Sequence, residues 1–259
     1  LSIKTPISVK RMIISDNVGS SEVLTEIVQG QYQTSSNGIR GMVGRAYKIR
    51  IELLDGRVYE SLPDTLYPSG TVDQVYHSFK EEKTPGGGTD YGFDVFFNSS
   101  AGELDNYHFL WKFTGTYKVD ANPELYTVPC GEARCPAPLP CSAYVLNGGA
   151  LERVKSCECC ECWTSVFNNE VIVSDEQFVA SGTFTNVKAA YVPVNQWTFK
   201  YKVYAEVKQM SLSPQAFAFW KAIRSQKNAT TSLFQPLTGK IPSNFIQISG
   251  QAGPIEGIF

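Results

Sequence analysis

The chain has 259 residues, 42% of them hydrophobic and 19% charged, a balance that excludes a disordered tail and a collagen-like polymer and leaves enough apolar side chain for a sizeable core. Twenty-three Lys plus Arg against 25 Asp plus Glu give a formal charge of -2 with no basic stripe of the kind that neutralises a phosphate backbone, so nucleic acid is not an expected partner. No apolar run approaches the ~20 residues that cross a bilayer, and membrane attachment would need a lipid or a partner.

Length divided by roughly 150 residues gives one or two domains, and two are expected. The chain opens at Leu1 without a charged segment followed by an apolar one. Ile3, Ile7, Val9, Met12, Ile13 and Ile14 instead make a strand-like stretch that stops at Asp16-Asn17 and Gly19. A strand at the first residue needs neighbours, so residues upstream of Leu1, and with them an export signal, are expected. Period-two alternation then dominates: Tyr47, Ile49, Ile51 and Leu53 face one way, Lys48, Arg50 and Glu52 the other. Asp55-Gly56 turns the chain into 57–61, predicting a hairpin with one wet face. Leu62-Pro63 to Pro68-Ser69-Gly70 marks a seam, and the domain boundary is placed near Tyr67.

Thr84-Pro85-Gly86-Gly87-Gly88-Thr89 reads as a hairpin tip or loop. Tyr91, Phe93, Val95 and Phe97 alternate, as do Tyr107, Phe109, Trp111 and Phe113, and the turn-rich 98–102 between them predicts a second hairpin. The most regular strand is Trp197, Phe199, Tyr201, Val203, Ala205 and Val207, with Lys200, Lys202, Glu206 and Lys208 opposite. One stretch reads as a helix, about 214–227, with Ser213 as N-cap and Pro214 at the first helical position. Its Phe217, Trp220 and Ile223 form a stripe expected to pack on the sheet as a lid.

These segments carry a resemblance. Leu24-Thr25-Glu26 through Gly30-Gln31-Tyr32, then Gly41-Met42-Val43-Gly44-Arg45-Ala46-Tyr47-Lys48-Ile49-Arg50-Ile51 and Asp55-Gly56-Arg57-Val58-Tyr59-Glu60-Ser61, are similar to the signature of a Bacteroidota lipoprotein family catalogued as domain of unknown function 4249. Phe109-Leu110-Trp111-Lys112-Phe113, Cys162-Trp163, Tyr201-Lys202-Val203, Gln209-Met210-Ser211-Leu212-Ser213, Phe219-Trp220 and Gly257-Ile258-Phe259 follow in the family's order. The resemblance implies an all-β chain in which a partial immunoglobulin-like β-sandwich (1–66) precedes a second antiparallel β-rich domain (67–259); the residues themselves add one short helix and a Cys-rich excursion with more Cys than the family pattern leads one to expect. It also implies export to the outer membrane and the cell surface, a lipid anchor upstream of Leu1, and a TonB-dependent outer-membrane transporter or another outer-membrane protein as partner. The family brings no catalytic residues, and none are assigned.

Seven Cys fall between 130 and 162: Cys130, Cys135 and Cys141, then Cys157, Cys159, Cys160 and Cys162. Pro136, Pro138, Pro140 and Gly148-Gly149 break the segment into a long excursion, which needs crosslinks or a metal to stay ordered. In an exported protein the reading is disulfides, three pairs joining the first group to the second with one thiol left over. The alternative takes Cys157 with Cys160 and Cys159 with Cys162 as C-x-x-C chelates for Zn or Cu(I). Against it, an extended chain would send Cys157 and Cys159 to one face and Cys160 and Cys162 to the other. A redox Cys-x-x-Cys lacks a strand-to-helix context.

The two histidines, His77 and His108, are too few for a catalytic triad, and His108, between Tyr107 and Phe109, is expected to face solvent. Asp90, Asp94, Asp105 and Asn106 are read as turn residues rather than calcium ligands. Asp64-Thr65-Leu66 is similar to a short O-glycosylation sequon, with Thr65 as acceptor. Aromatic residues are plentiful, and most are expected in the core. No cofactor and no metal are expected. The function expected is that of a non-catalytic surface lipoprotein subunit docked on a transporter; the alternative is a surface protein that captures a glycan, peptide or metal.

Overall fold

Alternation in the sequence becomes antiparallel pairing in a computed structural model that describes residues 5–102, 107–122, 127–128, 137–174, 182–195, 198–229, 241, 243–251 and 255–259. The first strands are β1 (Arg11–Asp16), β2 (Ser21–Val23), β3 (Thr25–Val28), β4 (Gln31–Gln33), β5 (Ala46–Glu52), β6 (Val58–Ser61) and β7 (Asp64–Thr65). The hairpin expected at 47–61 forms, with Arg50 opposite Glu60. Gly56 turns it at φ 88°, its N–H donating to the Leu53 carbonyl at 3.2 Å, a left-handed conformation that glycine adopts without a Cβ penalty. β1 lies along the other edge of β5, from Arg11 opposite Glu52 to Asp16 opposite Tyr47.

Then follow β8 (Thr71–Lys83), β9 (Thr89–Ser100), β10 (Phe109–Asp120), β11 (Thr127–Val128), β12 (Ala137–Pro138), β13 (Tyr144–Asn147), β14 (Ala150–Arg153), β15 (Glu161–Phe167), β16 (Ile172–Val173), β17 (Thr183–Pro193) and β18 (Val203–Ser211). Helix α1 (Pro214–Ala229) and β19 (Phe245–Ser249) complete the order. β19 returns to the first sheet and pairs with β6, giving the path β19-β6-β5-β1-β2 with β7 added on β5. That sheet therefore joins strands from both ends of the chain.

The expected hairpin between the two aromatic rows does not form. β9 is bonded to β8 and β17, whereas β10 holds β18 along one edge and β16 and β15 end to end along the other. The rows meet face to face across a two-layer core, with Phe97 5.2 Å from the Trp111 ring and Phe184 5.1 Å from it. Val95, Phe109, Phe113, Ala189, Ala190 and Val192 fill in around them. A hairpin would have laid both rows on one face and left that face to be covered. Stacking the strands in opposite sheets lets the rings bury each other, and burying a large apolar side chain stabilises by roughly 1.5–3 kcal/mol.

The strand expected from Trp197 begins only at Val203; 198–202 bends instead, and Trp197 is outside the described residues. Phe199 still reaches the core, 5.1 Å from Phe93.

Helix α1 starts where capping chemistry puts it. The Ser213 hydroxyl accepts the Ala216 N–H at 3.1 Å and donates to Asp64 Oδ2 at 2.9 Å, tying the helix to β7. Phe217 and Trp220 pack on a small cluster of Leu110, Val173, Leu212 and Ala216, so the helix covers the outer side of β10 at its Leu110 end. Ser213→Ala is expected to lower stability by about 1 kcal/mol. Asp64→Ala should add little in that background, because the pair acts as one unit. Urea midpoints of the two single variants and the double variant check this. No described helix is long and apolar enough to cross a membrane.

Candidate functional site

Helix α1 covers only one end of the outer face of β10. At the other end the register sets Phe167 opposite Thr114, Ser165 and Tyr204 on either side of Thr116, and Trp163 opposite Lys118. Directly opposed residues share a face, so these side chains form one surface. Its rings are uncovered: Trp163 is 57% exposed, Phe167 69% and Tyr204 64%.

Polar groups frame the rings. Lys118 pairs with Glu161 at 2.7 Å and lies 5.1 Å from the Tyr201 ring. Lys200 reaches Asp120 at 2.7 Å, and the Tyr201 hydroxyl donates to the same carboxylate. Hydrogen bonds from Lys200 and then Tyr201 hold the Asp120 carboxyl below its ordinary range. The bond to Glu161 raises the Lys118 ammonium above its own. The Thr116 and Ser165 hydroxyls meet at 3.1 Å.

Sequence reading expected most rings in the core and did not single out these three. Tyr204 carried a usable signal: it sits between Val203 and Ala205, so parity alone turns it outward.

The Cys-rich excursion borders this face. Cys141 is bonded to Cys159 and Cys157 to Cys160, each pair with Cα atoms 5.6 Å apart, while Cys162 is a free, exposed thiol. Cys130 and Cys135 lie outside the described residues. The Cys141–Cys159 bond joins the first group to the second, as expected. Cys157 instead pairs within its own group, which corrects the expected connectivity. Residues 155–160 bend rather than run extended, so the alternation argument does not hold there and Cys157 and Cys160 come together. These bonds use three of the four sulfurs proposed as C-x-x-C chelates, and among the described residues no three His, Cys, Asp or Glu are grouped to hold a metal.

The hairpin β13–β14 within the excursion is almost entirely exposed, so it has little core of its own. Closing an 18-residue loop contributes about 3 kcal/mol. The double substitution Cys141→Ser with Cys159→Ser is therefore expected to speed hydrogen exchange in β13 and β14 by about a hundredfold. Protection of β9 and β10 should be unchanged, since the core does not lean on the excursion.

A cavity of about 460 Å³ opens between the N-terminal sheet, the outer side of β10 and β18, and α1. Thr65, the expected glycosylation acceptor, lines it, half-buried and paired with Ala46. His108 does not face solvent as expected: its ring stacks on Phe217 at 4.3 Å under α1. Desolvation there, with Lys221 adding to it, pushes the imidazole below its ordinary value. His77 is exposed on β8, edge-on to Phe93 at 5.3 Å. Asp90 and Asp94 are strand residues of β9 rather than turn residues, and Asp94 pairs with Lys188 at 2.6 Å. Asp105 and Asn106 lie outside the described residues.

Fold and surface together define a mostly antiparallel β protein with a two-layer core, a disulfide-tied excursion and an uncovered aromatic face. The chain belongs to the family described as Domain of unknown function (DUF4249), which matches residues 4–259. No curated protein and no solved structure matches it.

Proposed function

We propose that the chain is a non-catalytic subunit of an outer-membrane assembly: a Bacteroidota surface lipoprotein, anchored by a lipid upstream of Leu1, whose partner is a TonB-dependent transporter. In this reading the N-terminal sheet is part of an immunoglobulin-like domain. The observation that carries the proposal is the uncovered half of the β10 sheet, where Trp163, Phe167 and Tyr204 stand exposed among paired charges. Exposed aromatic clusters ringed by polar groups are what protein interfaces use. The disulfides support an oxidising compartment and hence export. A binding role fits the histidines, one exposed on β8 and the other stacked under α1.

The test is purification of the full chain from detergent-solubilised outer membrane. A transporter is expected to co-purify, and Trp163→Asp with Phe167→Asp should release it. A monodisperse particle with no transporter attached overturns the proposal.

A further inference from the structure

We infer that the cavity beneath α1 binds a single-chain amphiphile with a carboxylate head. Its walls come from several elements distant in sequence: Ile14 from β1, Leu66 after β7, Leu110 from β10, Met210 from β18, Trp220 from α1 and Ile258 from the C-terminal segment. At about 460 Å³ it falls in the range of small-molecule sites, which are mostly apolar with a few polar groups to fix orientation.

Most of the polar lining is already engaged. The Ser213 hydroxyl serves Asp64 and the helix cap, the Ser211 hydroxyl donates to the Tyr67 carbonyl at 2.5 Å, and the Asp64 carboxylate is held by Ser213. Lys112 is different. It lines the same cavity, two residues along β10 from Leu110 on the same face, and forms no ion pair with any described carboxylate.

It also sits directly opposite Lys208 in the β10–β18 register. Like charges directly opposed across two strands repel, and only Lys208 has an acid to offset it, Glu206 at 3.3 Å. An anion at the cavity mouth would relieve this repulsion, while the apolar walls select a methylene tail behind the anion. A neutral ligand would leave the exposed Lys112 to solvent, a cationic head beside it would add a third like charge, and the Asp64 carboxylate in the same lining would keep an anionic head at the Lys112 end. This site is separate from the ring face, so failure to capture a transporter leaves it intact.

The test titrates the full chain calorimetrically with octanoate, decanoate and dodecanoate below their micellar concentrations. Affinity is expected to rise about fourfold per added CH₂ until the cavity is full. Lys112→Met should weaken dodecanoate about fivefold, the upper end for an exposed ion pair, and leave dodecanol unchanged. Dodecyltrimethylammonium should bind more weakly than dodecanol. Because Lys112 is exposed, its replacement leaves the fold intact, which circular dichroism verifies. An affinity indifferent to chain length, or a Lys112→Met protein that holds dodecanoate as well as the parent does, overturns the inference. Phosphatidylglycerol vesicles separate a free acid from a membrane lipid. Co-sedimentation with vesicles, without dodecanoate binding, also overturns it by assigning the surface to the bilayer.

Discussion

Replacing Trp111 with alanine is expected to cost about 3–5 kcal/mol, a fall in melting temperature of about 10 °C. The indole is 2% exposed and is flanked by Phe97, Phe109 and Phe184 with ring centroids 5.1 to 6.0 Å away. Truncation would open a void between the two sheets that neither can close, because β9 and β10 are each hydrogen-bonded on both edges. A second loss compounds the first. The indole N–H donates to Gln209 Oε1 at 2.7 Å, and the Gln209 amide nitrogen donates to the carbonyls of Ser69 and Ser100. One side chain thus ties the core to the 67–70 seam. Trp111→Phe keeps most of the ring contact but leaves Gln209 Oε1 unpaired, an expected cost of about 1–3 kcal/mol. Thermal melts should order the proteins as parent, Trp111→Phe, Trp111→Ala. A Trp111→Ala protein within 1 kcal/mol of the parent would show that the ring contacts do not hold the sheets together.

How much of this was legible depended on how local the deciding interaction is. The β5–β6 hairpin was readable because Asp55-Gly56 supplies its turn chemistry within the segment itself, and α1 because Ser213 and Pro214 supply the cap. The partner of β10 was not. Alternation at Phe109, Trp111 and Phe113 says that the strand has an apolar face, but not which strand shares its hydrogen bonds. That choice is made by β18 and β15, whose paired residues lie up to 102 positions later, as Ser211 does from Phe109. The same reason hides the return of β19 to β6, and with it the mixing of both chain ends in one sheet.

Within the site, the exposure of Trp163 and Phe167 was not legible either. Parity sorts a strand's side chains into two faces, but where α1 stops covering the sheet is a tertiary fact. The cysteines failed in a third way. Their alternation presumed an extended chain at 155–160, where the backbone bends and lets Cys157 close on Cys160.

Gly70→Ala is expected to be more damaging than its single added carbon suggests. Gly70 ends the seam immediately before β8 and takes φ +63°, where an L side chain costs about 1–2 kcal/mol. A β-carbon placed there would stand 2.2 Å from the Ser100 carbonyl oxygen and 3.0 Å from Ala101 Cα, both of them backbone-positioned atoms. Ser100 has no room to yield, since it is paired with Thr71 of β8 and with Thr183 of β17. The carbon would also crowd the Gln209 amide nitrogen at 2.8 Å, the same group that links the seam to Trp111. Strain and collision together should exceed about 3 kcal/mol, a large share of the roughly 5–15 kcal/mol that keeps a domain folded. Gly87 supplies the comparison: it takes φ +82° at the tip of the β8–β9 hairpin with nothing within 4 Å of the added carbon. Gly87→Ala should therefore show the conformational cost alone, about 1–2 kcal/mol. Urea midpoints of the two variants separate the contributions. Equal losses would mean that the backbone angle, and not the contact with Ser100, makes Gly70 necessary.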